Sequence, residues 1–357
     1  MTSDFRRALS DDLQRLTPPP GDLARAVSEG RRLRRRRRGA VAAGVAAAVA
    51  VLAVVAGQLG GGSSTSDVSR IDPIGRLDFS GGLRAYAAPG AEIHLGGRTF
   101  PGRQLEYLDT DAVATPVGVV FYDRGLPQLL RESGEITPLE PGPAVAADEF
   151  RPTAKADAAG ALVAYAVARD GGGATVTVRD LASGEVVSRR QVPGDVVIDA
   201  LDGGVAFLRT DSGTAAWDTA SDDYRLLAGP DTRVADVRHG VVLYDGPEPD
   251  GPAASDYRLV PGAIDAQLTF DGRHVLYWSS ALQTTDGGRP IVLDQGPTTE
   301  GGYAFWAMDT DGSVLVAVPG RGAHSTVYDC EVPSGACTKL GPLETLHGDP
   351  MFIGVDM

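Results

Sequence analysis

The run Asp202-Gly-Gly-Val-Ala-Phe-Leu-Arg-Thr-Asp-Ser-Gly-Thr-Ala-Ala-Trp-Asp-Thr-Ala-Ser-Asp-Asp-Tyr224 decides the fold. It holds two units. A small glycine turn is followed by a short apolar strand, and then a strand ending in an acid meets a polar turn and returns. The first unit recurs as Val117-Gly-Val-Val-Phe-Tyr, Ala159-Gly-Ala-Leu-Val-Ala-Tyr, His239-Gly-Val-Val-Leu-Tyr, Asp271-Gly-Arg-His-Val-Leu-Tyr-Trp and Asp311-Gly-Ser-Val-Leu-Val-Ala-Val. Glycine suits a tight hairpin that needs positive φ, and a continuous apolar run suits a strand covered on both faces.

The second unit lies between the copies of the first. It reads Leu129-Leu-Arg-Glu-Ser-Gly-Glu-Ile, Thr175-Val-Thr-Val-Arg-Asp-Leu-Ala-Ser-Gly-Glu-Val-Val and Val327-Tyr-Asp-Cys-Glu-Val-Pro-Ser-Gly-Ala-Cys. The acid is placed to accept bonds from turn amides, and the glycine to take the left-handed position. Two hairpins per repeat make a four-stranded sheet, and a spacing of roughly 30 to 45 residues is that of β-propeller blades. First strands are expected near residues 105, 153, 195, 234, 264, 303 and 349. The last, Pro350-Met-Phe-Ile-Gly-Val-Asp, has no hairpin after it, whereas Gly82-Leu-Arg-Ala-Tyr-Ala-Ala and Ala91-Glu-Ile-His-Leu-Gly-Gly-Arg-Thr-Phe form a lone hairpin at the other end. One blade built from both ends of the domain would close the ring and remove its free edges. The expected fold is therefore an all-β propeller of seven four-stranded blades over residues 71–357, with six or eight as alternatives because the repeat at 234–262 is short.

Composition agrees. The chain has 357 residues, 43% hydrophobic and 22% charged, which excludes wholesale disorder. Its 46 glycines and 24 prolines follow no collagen period and fall in turns. The net charge of −14 divides unevenly. Residues 1–38 hold 11 Arg against 5 acids, or +6, and the rest holds 22 basic residues against 42 acids, or −20.

That division coincides with an apolar segment. Residues 39–57 are nineteen uncharged residues, mostly Ala and Val, enough for a helix of about 30 Å that matches a bilayer core. Arg31, Arg32, Arg34, Arg35, Arg36, Arg37 and Arg38 precede it, and no basic residue follows until Arg70. The positive-inside rule then places residues 1–38 in the cytoplasm and the propeller outside, with a lipid bilayer around 39–59 and a Gly/Ser stalk at 60–70. A cleavable signal peptide fits less well, since 38 residues precede the apolar run. Within the tail Phe5, Leu9, Leu13 and Leu16 recur at helical spacing and form an apolar stripe. So short a tail cannot bury the stripe itself, which must lie on the membrane or dock on a cytoplasmic protein.

Cys330 and Cys337 flank the turn Val332-Pro-Ser-Gly and fall opposite each other on reversing strands, within disulfide reach. An oxidising compartment outside the cytoplasm agrees with that pairing. A zinc site would need two more ligands, and the nearest histidine is His324.

Motifs for nucleophilic hydrolysis, zinc proteolysis, nucleotide binding and sialidase Asp boxes do not occur, so neither an enzyme nor a cofactor is expected. Asp309-Thr-Asp311-Gly-Ser opens like a calcium loop but lacks the distal Glu and stands where every repeat has its turn. The acidic outer region, whose only lysines are Lys155 and Lys339, argues against nucleic acid there.

The repeats, with Trp217-Asp218, Arg179-Asp180 and Tyr328-Asp329 in equivalent places, resemble the TolB, WD40-like and YVTN group of bacterial propellers. The layout of basic tail, Ala/Val span and Gly-rich propeller resembles membrane-anchored WD40-like proteins of high-GC Gram-positive bacteria. The resemblance implies a single-pass plasma-membrane protein. Its function would be non-enzymatic binding of an extracytoplasmic protein, peptide or cell-wall ligand. A transmembrane regulator similar to membrane-bound anti-sigma proteins is the alternative, although the tail lacks their His-x-x-x-Cys-x-x-Cys motif. A hydrolase site on the propeller axis is a third, minor reading.

Overall fold

A computed structural model of the chain describes residues 82–87, 92–101, 112–123, 125–141, 153–157, 160–170, 172–263, 266–276, 281–294, 305–320, 324–344 and 351–352. In chain order the strands begin with β1 (Tyr86–Ala87), β2 (Glu92–Leu95) and β3 (Arg98–Pro101). One antiparallel sheet follows in β4 (Val113–Thr115), β5 (Gly118–Asp123), β6 (Leu126–Arg131) and β7 (Ile136–Pro138). The next two are β8 (Ala154–Ala156) to β11 (Val186–Val192), through β9 (Leu162–Ala168) and β10 (Ala174–Asp180), and β12 (Val197–Asp202) to β15 (Asp223–Ala228), through β13 (Val205–Thr210) and β14 (Gly213–Asp218). Then come β16 (Arg233–Arg238), β17 (Val241–Asp245) and β18 (Arg258–Pro261). Two further four-stranded sheets are β19 (Gln267–Leu268), β20 (His274–Leu276), β21 (Ala281–Thr284) and β22 (Ile291–Val292), and β23 (Phe305–Met308), β24 (Val314–Pro319), β25 (His324–Cys330) and β26 (Cys337–Glu344). The chain's last strand, β27 (Met351–Phe352), pairs antiparallel with β1, so the closing sheet has the order β27-β1-β2-β3.

These sheets form a β-propeller. Apolar clusters fill the seams between successive sheets and return to the start. Val176 and Val178 meet Ile198 and Leu208 at one seam, and Phe207 meets Val237 and Val242 at the next. At the closure Ala317 and Val327 meet Tyr86, and Leu83 and Leu95 meet Val119 and Phe121. Seams on both sides explain why β5 and β24 are buried almost end to end, whereas outermost β11 alternates exposed with half-buried.

The expectation of seven four-stranded blades is corrected. Among the described residues six sheets are four-stranded, and the 234–262 repeat gives a three-stranded sheet in which β18 runs parallel to β17. Pro247, Pro249 and Pro252 lie in the connection, where a tight return hairpin would be needed. The segment is instead used on the neighbouring sheet. Gly251 and Ala253 donate their N–H groups to the carbonyls of Leu227 and Leu226 on β15 at 3.0 Å each, covering that outer edge. The chain then makes a 3-10 turn at Ala254–Asp256 and enters β18 from the same end as β17. The strand expected near residue 105 falls in a stretch outside the described residues, and the first strand of that sheet is β4.

Polar bonds cross the same seams. Thr153 Oγ1 accepts the N–H of Ile198 at 2.9 Å, and the Asp202 carboxylate accepts those of His239 and Gly240 at 3.0 Å each. His239 and Gly240 both have positive φ, 51° and 73°, which turns the two N–H groups toward one carboxylate. At another seam Arg179, fully buried, donates to the carbonyls of Leu139 and Gly184 at 2.8 Å and to the Tyr165 hydroxyl at 3.1 Å. Tyr165 in turn donates to Glu140 at 2.7 Å, and burial pushes its hydroxyl pKa well up.

Candidate functional site

First strands of successive sheets lie against one another: β4 on β8, β8 on β12, β12 on β16, β16 on β19 and β23 on β27. They are the innermost strands, and the chain leaves each of them toward the same end of the axis. There the ends of β4, β8, β16, β19 and β23 line a small open cleft. Its lining is mixed: Val113 and Ala114 from one sheet, Phe270 from another and Met308 from a third stand beside Asp157, Asp236, Arg238, Gln267 and Thr310.

Among the polar lining residues Asp236 and Arg238 stand two apart on β16 and so share one side of the strand. Asp236 is committed to the scaffold. Its Oδ1 accepts the N–H of Val237 at 2.8 Å, and its Oδ2 accepts that of Leu268, in the next sheet, at 2.9 Å. Arg238 Nε lies 3.3 Å from Asp236 Oδ1 as an ion pair, and Nη1 donates to the Ala156 carbonyl at 3.0 Å. The guanidinium carbon sits 5.7 Å from the centre of the Phe270 ring, a cation–π arrangement. Nε is buried without a hydrogen bond, Nη2 has no partner among the described residues, and the side chain is 17% exposed. Asp157, from the end of β8, is 4% exposed. The cleft thus offers a ligand some apolar surface and the Arg238 guanidinium, with the Asp236 carboxylate turned into the scaffold.

A second polar cluster lies within one sheet, on β12, β13 and β14. Asp199 occupies a bulge in β12 where the register to β13 shifts between Ile198 and Ala200. Arg209 Nε donates to Oδ1 at 3.0 Å and Thr214 Oγ1 to Oδ2 at 3.1 Å. Burial is the larger influence and raises the carboxyl to about 6 from an ordinary 3.8, against the lowering effect of Arg209, Thr214 and Lys155.

Cys330 and Cys337 are directly opposed on β25 and β26 and joined in a disulfide, with Cα atoms 4.0 Å apart. The bond lies away from the cleft. It holds the turn that rests on outermost β22, where Gly335 accepts the N–H of Asp294 at 2.8 Å and has no room for a side chain beside the Val292 carbonyl. The acids that end the third strands behave as the spacing predicts in two places: Asp180 accepts the N–H of Ala182 at 2.8 Å and Asp218 that of Ala220 at 2.9 Å. Asp329 instead pairs with Arg84 at 3.0 Å. Among the described residues no group of His, Cys, Asp and Glu is arranged to hold a metal ion. Asp309 spends its carboxylate on backbone N–H groups.

Phe5, Leu9, Leu13, Leu16 and the arginines from Arg31 to Arg38 lie outside the described residues, as does the 39–59 span. Among the described residues no helix is long and apolar enough to cross a membrane. The cleft itself was not legible from sequence, because it combines single residues from five repeats that share no motif.

No family model and no curated protein matches the chain. Solved structures do. A chain of the mitotic checkpoint complex is similar at 12% identity and a TM-score of 0.33, over 81% of this chain and 88% of that one. BamB from Moraxella catarrhalis is similar at 13% identity and a TM-score of 0.30, over 67% and 89%. An uncharacterized protein of Listeria monocytogenes matches at 9% identity and a TM-score of 0.33, over 80% and 93%. At these scores the propeller assignment rests on the strand order and the seams.

Proposed function

We propose that this chain is a non-enzymatic binding module, a membrane-anchored propeller of WD40-like type whose axial cleft receives a ligand outside the cytoplasm. The observation that carries the binding reading is the cleft: first strands from five sheets end around an open space lined by both apolar and polar residues, beside an arginine with unspent donors. Loops and strand ends held by a stiff scaffold are where recognition concentrates, and a concave site that combines apolar surface with convergent polar groups is the usual form of a ligand site. The anchor rests on the uncharged run at 39–57 and the arginines before it.

Photocrosslinking in the native membrane tests the reading. A benzophenone side chain at Pro116, on the cleft, is expected to give a discrete adduct that the same group at Val187, on an outer strand, does not. Equal labelling at both positions, or none at Pro116, would contradict it.

A second reading is favoured by the stripe of Phe5, Leu9, Leu13 and Leu16, which suits a cytoplasmic protein partner and would make the chain a transmembrane regulator. Phe5→Asp with Leu9→Asp in the full chain is expected to release such a partner. Unchanged recovery of the same partner would end that reading.

A further inference from the structure

Seven Asp-Gly pairs punctuate the turns of this chain. In that dipeptide the aspartyl carboxyl reaches the next backbone nitrogen most readily, because glycine puts no side chain in the way. Six of the pairs have both residues described, and the fold holds them differently. Asp202 has its carboxylate pinned by the N–H groups of His239 and Gly240. At Asp271, Asp286 and Asp311 the carboxylate accepts the N–H of Arg273, Gly288 and Ser313. The glycine N–H of each of those three pairs is also spent, on the carbonyls of Thr269, Thr284 and Asp309.

The other two pairs share a local sequence, Asp245-Gly246-Pro247 and Asp250-Gly251-Pro252, and both aspartates are exposed. Only the second has its amide committed: Gly251 donates its N–H to the Leu227 carbonyl at 3.0 Å, seating the segment on β15. Among the described residues nothing accepts the Gly246 N–H and no donor holds the Asp245 carboxylate. The turn also keeps this glycine in place. Its φ is 97°, and a Cβ there would lie 2.6 Å from the Asp231 carbonyl oxygen.

We infer that Asp245 is the modification site of this propeller, converting spontaneously to isoaspartate at the root of the segment that covers β15. With the carboxyl protonated, the Gly246 nitrogen attacks Cγ. The N–Cγ bond forms, the C–OH bond breaks, and the hydroxyl leaves with the amide proton as water, giving a cyclic imide with no change of oxidation state. Water then opens the imide. Addition at Cγ restores aspartate, and addition at the main-chain carbonyl leaves isoaspartate, with the backbone routed through the side chain and one carbon longer. That carbon enters between β17 and the bond from Thr232 Oγ1 to the Pro247 carbonyl, 2.8 Å long, so the covering segment loosens. The inference does not depend on the cleft.

The full chain is aged in mildly acidic buffer, folded and in urea, and isoaspartate is mapped by peptide mass spectrometry and by methyl transfer with an isoaspartyl methyltransferase. Rates in urea normalise the two Asp-Gly-Pro sites. In the folded chain Asp245 is expected to lead Asp250 by about fivefold, the worth of one backbone hydrogen bond, and to lead the other four. Hydrogen exchange at Gly251 and Ala253 is expected to rise in the aged protein, and Asp245→Glu, whose longer side chain does not close the five-membered imide, is expected to abolish that rise. Equal normalised rates at 245 and 250, a lead by any other site, or no isoaspartate at 245 in the folded chain would overturn the assignment. Unchanged exchange at Gly251 and Ala253 in molecules carrying the modification would overturn the loosening.

Discussion

Asp309 Oδ1 accepts the backbone N–H of Leu83 at 2.9 Å, joining the first described residues of the propeller to a turn 226 positions later in the chain. The same carboxylate takes the N–H of Arg84 at 2.8 Å and that of Thr310 at 2.6 Å. Arg84 has a φ of 50°, which brings its N–H beside that of Leu83, and its guanidinium reaches Asp329 at 3.0 Å. The ring is therefore latched by Asp309 next to the place where β1 and β27 zip it.

Removing that latch should loosen the whole domain. Asp309→Ala strands the N–H groups of Leu83 and Arg84, and each lost partner of a buried group costs about 1–3 kcal/mol. Chemical denaturation of the variant should show a loss of ~2–4 kcal/mol, with Asp309→Asn, which keeps one acceptor, losing less. Equal stability of all three proteins would mean that β1 pairing with β27 closes the ring unaided.

Arg179 should be among the costliest polar residues to replace. Arg179→Met leaves the Leu139 and Gly184 carbonyls without their guanidinium donor and removes a cation from beside Glu140, 3.8 Å away, for a loss of about 3–5 kcal/mol. Arg189 also binds Glu140, at 2.8 Å, but its side chain is 36% exposed, and Arg189→Ala should cost under ~1 kcal/mol. Thermal melts of the two variants side by side check the ranking.

The disulfide closes only a short loop, since its cysteines are seven residues apart. Its chain-entropy contribution is therefore modest, ~2 kcal/mol. Cys330→Ser with Cys337→Ser should fold and lose about that much, and hydrogen exchange should rise first at Asp294, whose N–H is held by the Gly335 carbonyl. Unchanged exchange at Asp294 would show that the turn keeps its seat without the bond.

Asp199 gives the domain a pH dependence of definite sign. Its carboxyl is raised to about 6 from 3.8, so the folded state binds the proton more tightly than the unfolded chain does. The cost of ionising it is fully present above about pH 6 and is relieved as pH falls toward 4. Relative to Asp199→Asn, the wild type should gain stability between pH 7 and pH 4.5, by about 2 kcal/mol, as read by urea midpoints. A wild type that loses stability relative to the variant over that interval would show that Arg209 and Thr214 outweigh burial.

Much of the architecture was legible because it is local. Turns such as His239-Gly240 and Asp311-Gly312 need positive φ at the glycine, and the four to six apolar residues after each one become a strand with a seam on both sides. The split closing blade was legible as well, from a terminal strand without partners and a hairpin without a sheet. The three-stranded sheet was not, since nothing in 246–257 announces that its amides will pair with β15. Nor were Asp202, Asp236 and Asp309, whose partners outside their own sheets are backbone N–H groups from 32 to 226 positions away, and a backbone N–H carries no sequence signal. The candidate site combined both problems: Arg238 reads as the polar end of a strand until Ala156 and Phe270 are seen beside it.

The central claim is that the axial cleft is where this propeller takes its ligand. A crystallographic fragment screen of the full chain tests it most directly. Fragments are expected to collect between Phe270 and Val113 with a polar atom toward Arg238, and Ala114→Trp, which fills that space, should abolish them without displacing fragments elsewhere. Fragments bound only on the rim or the outer strands, with none in the cleft, would contradict the account.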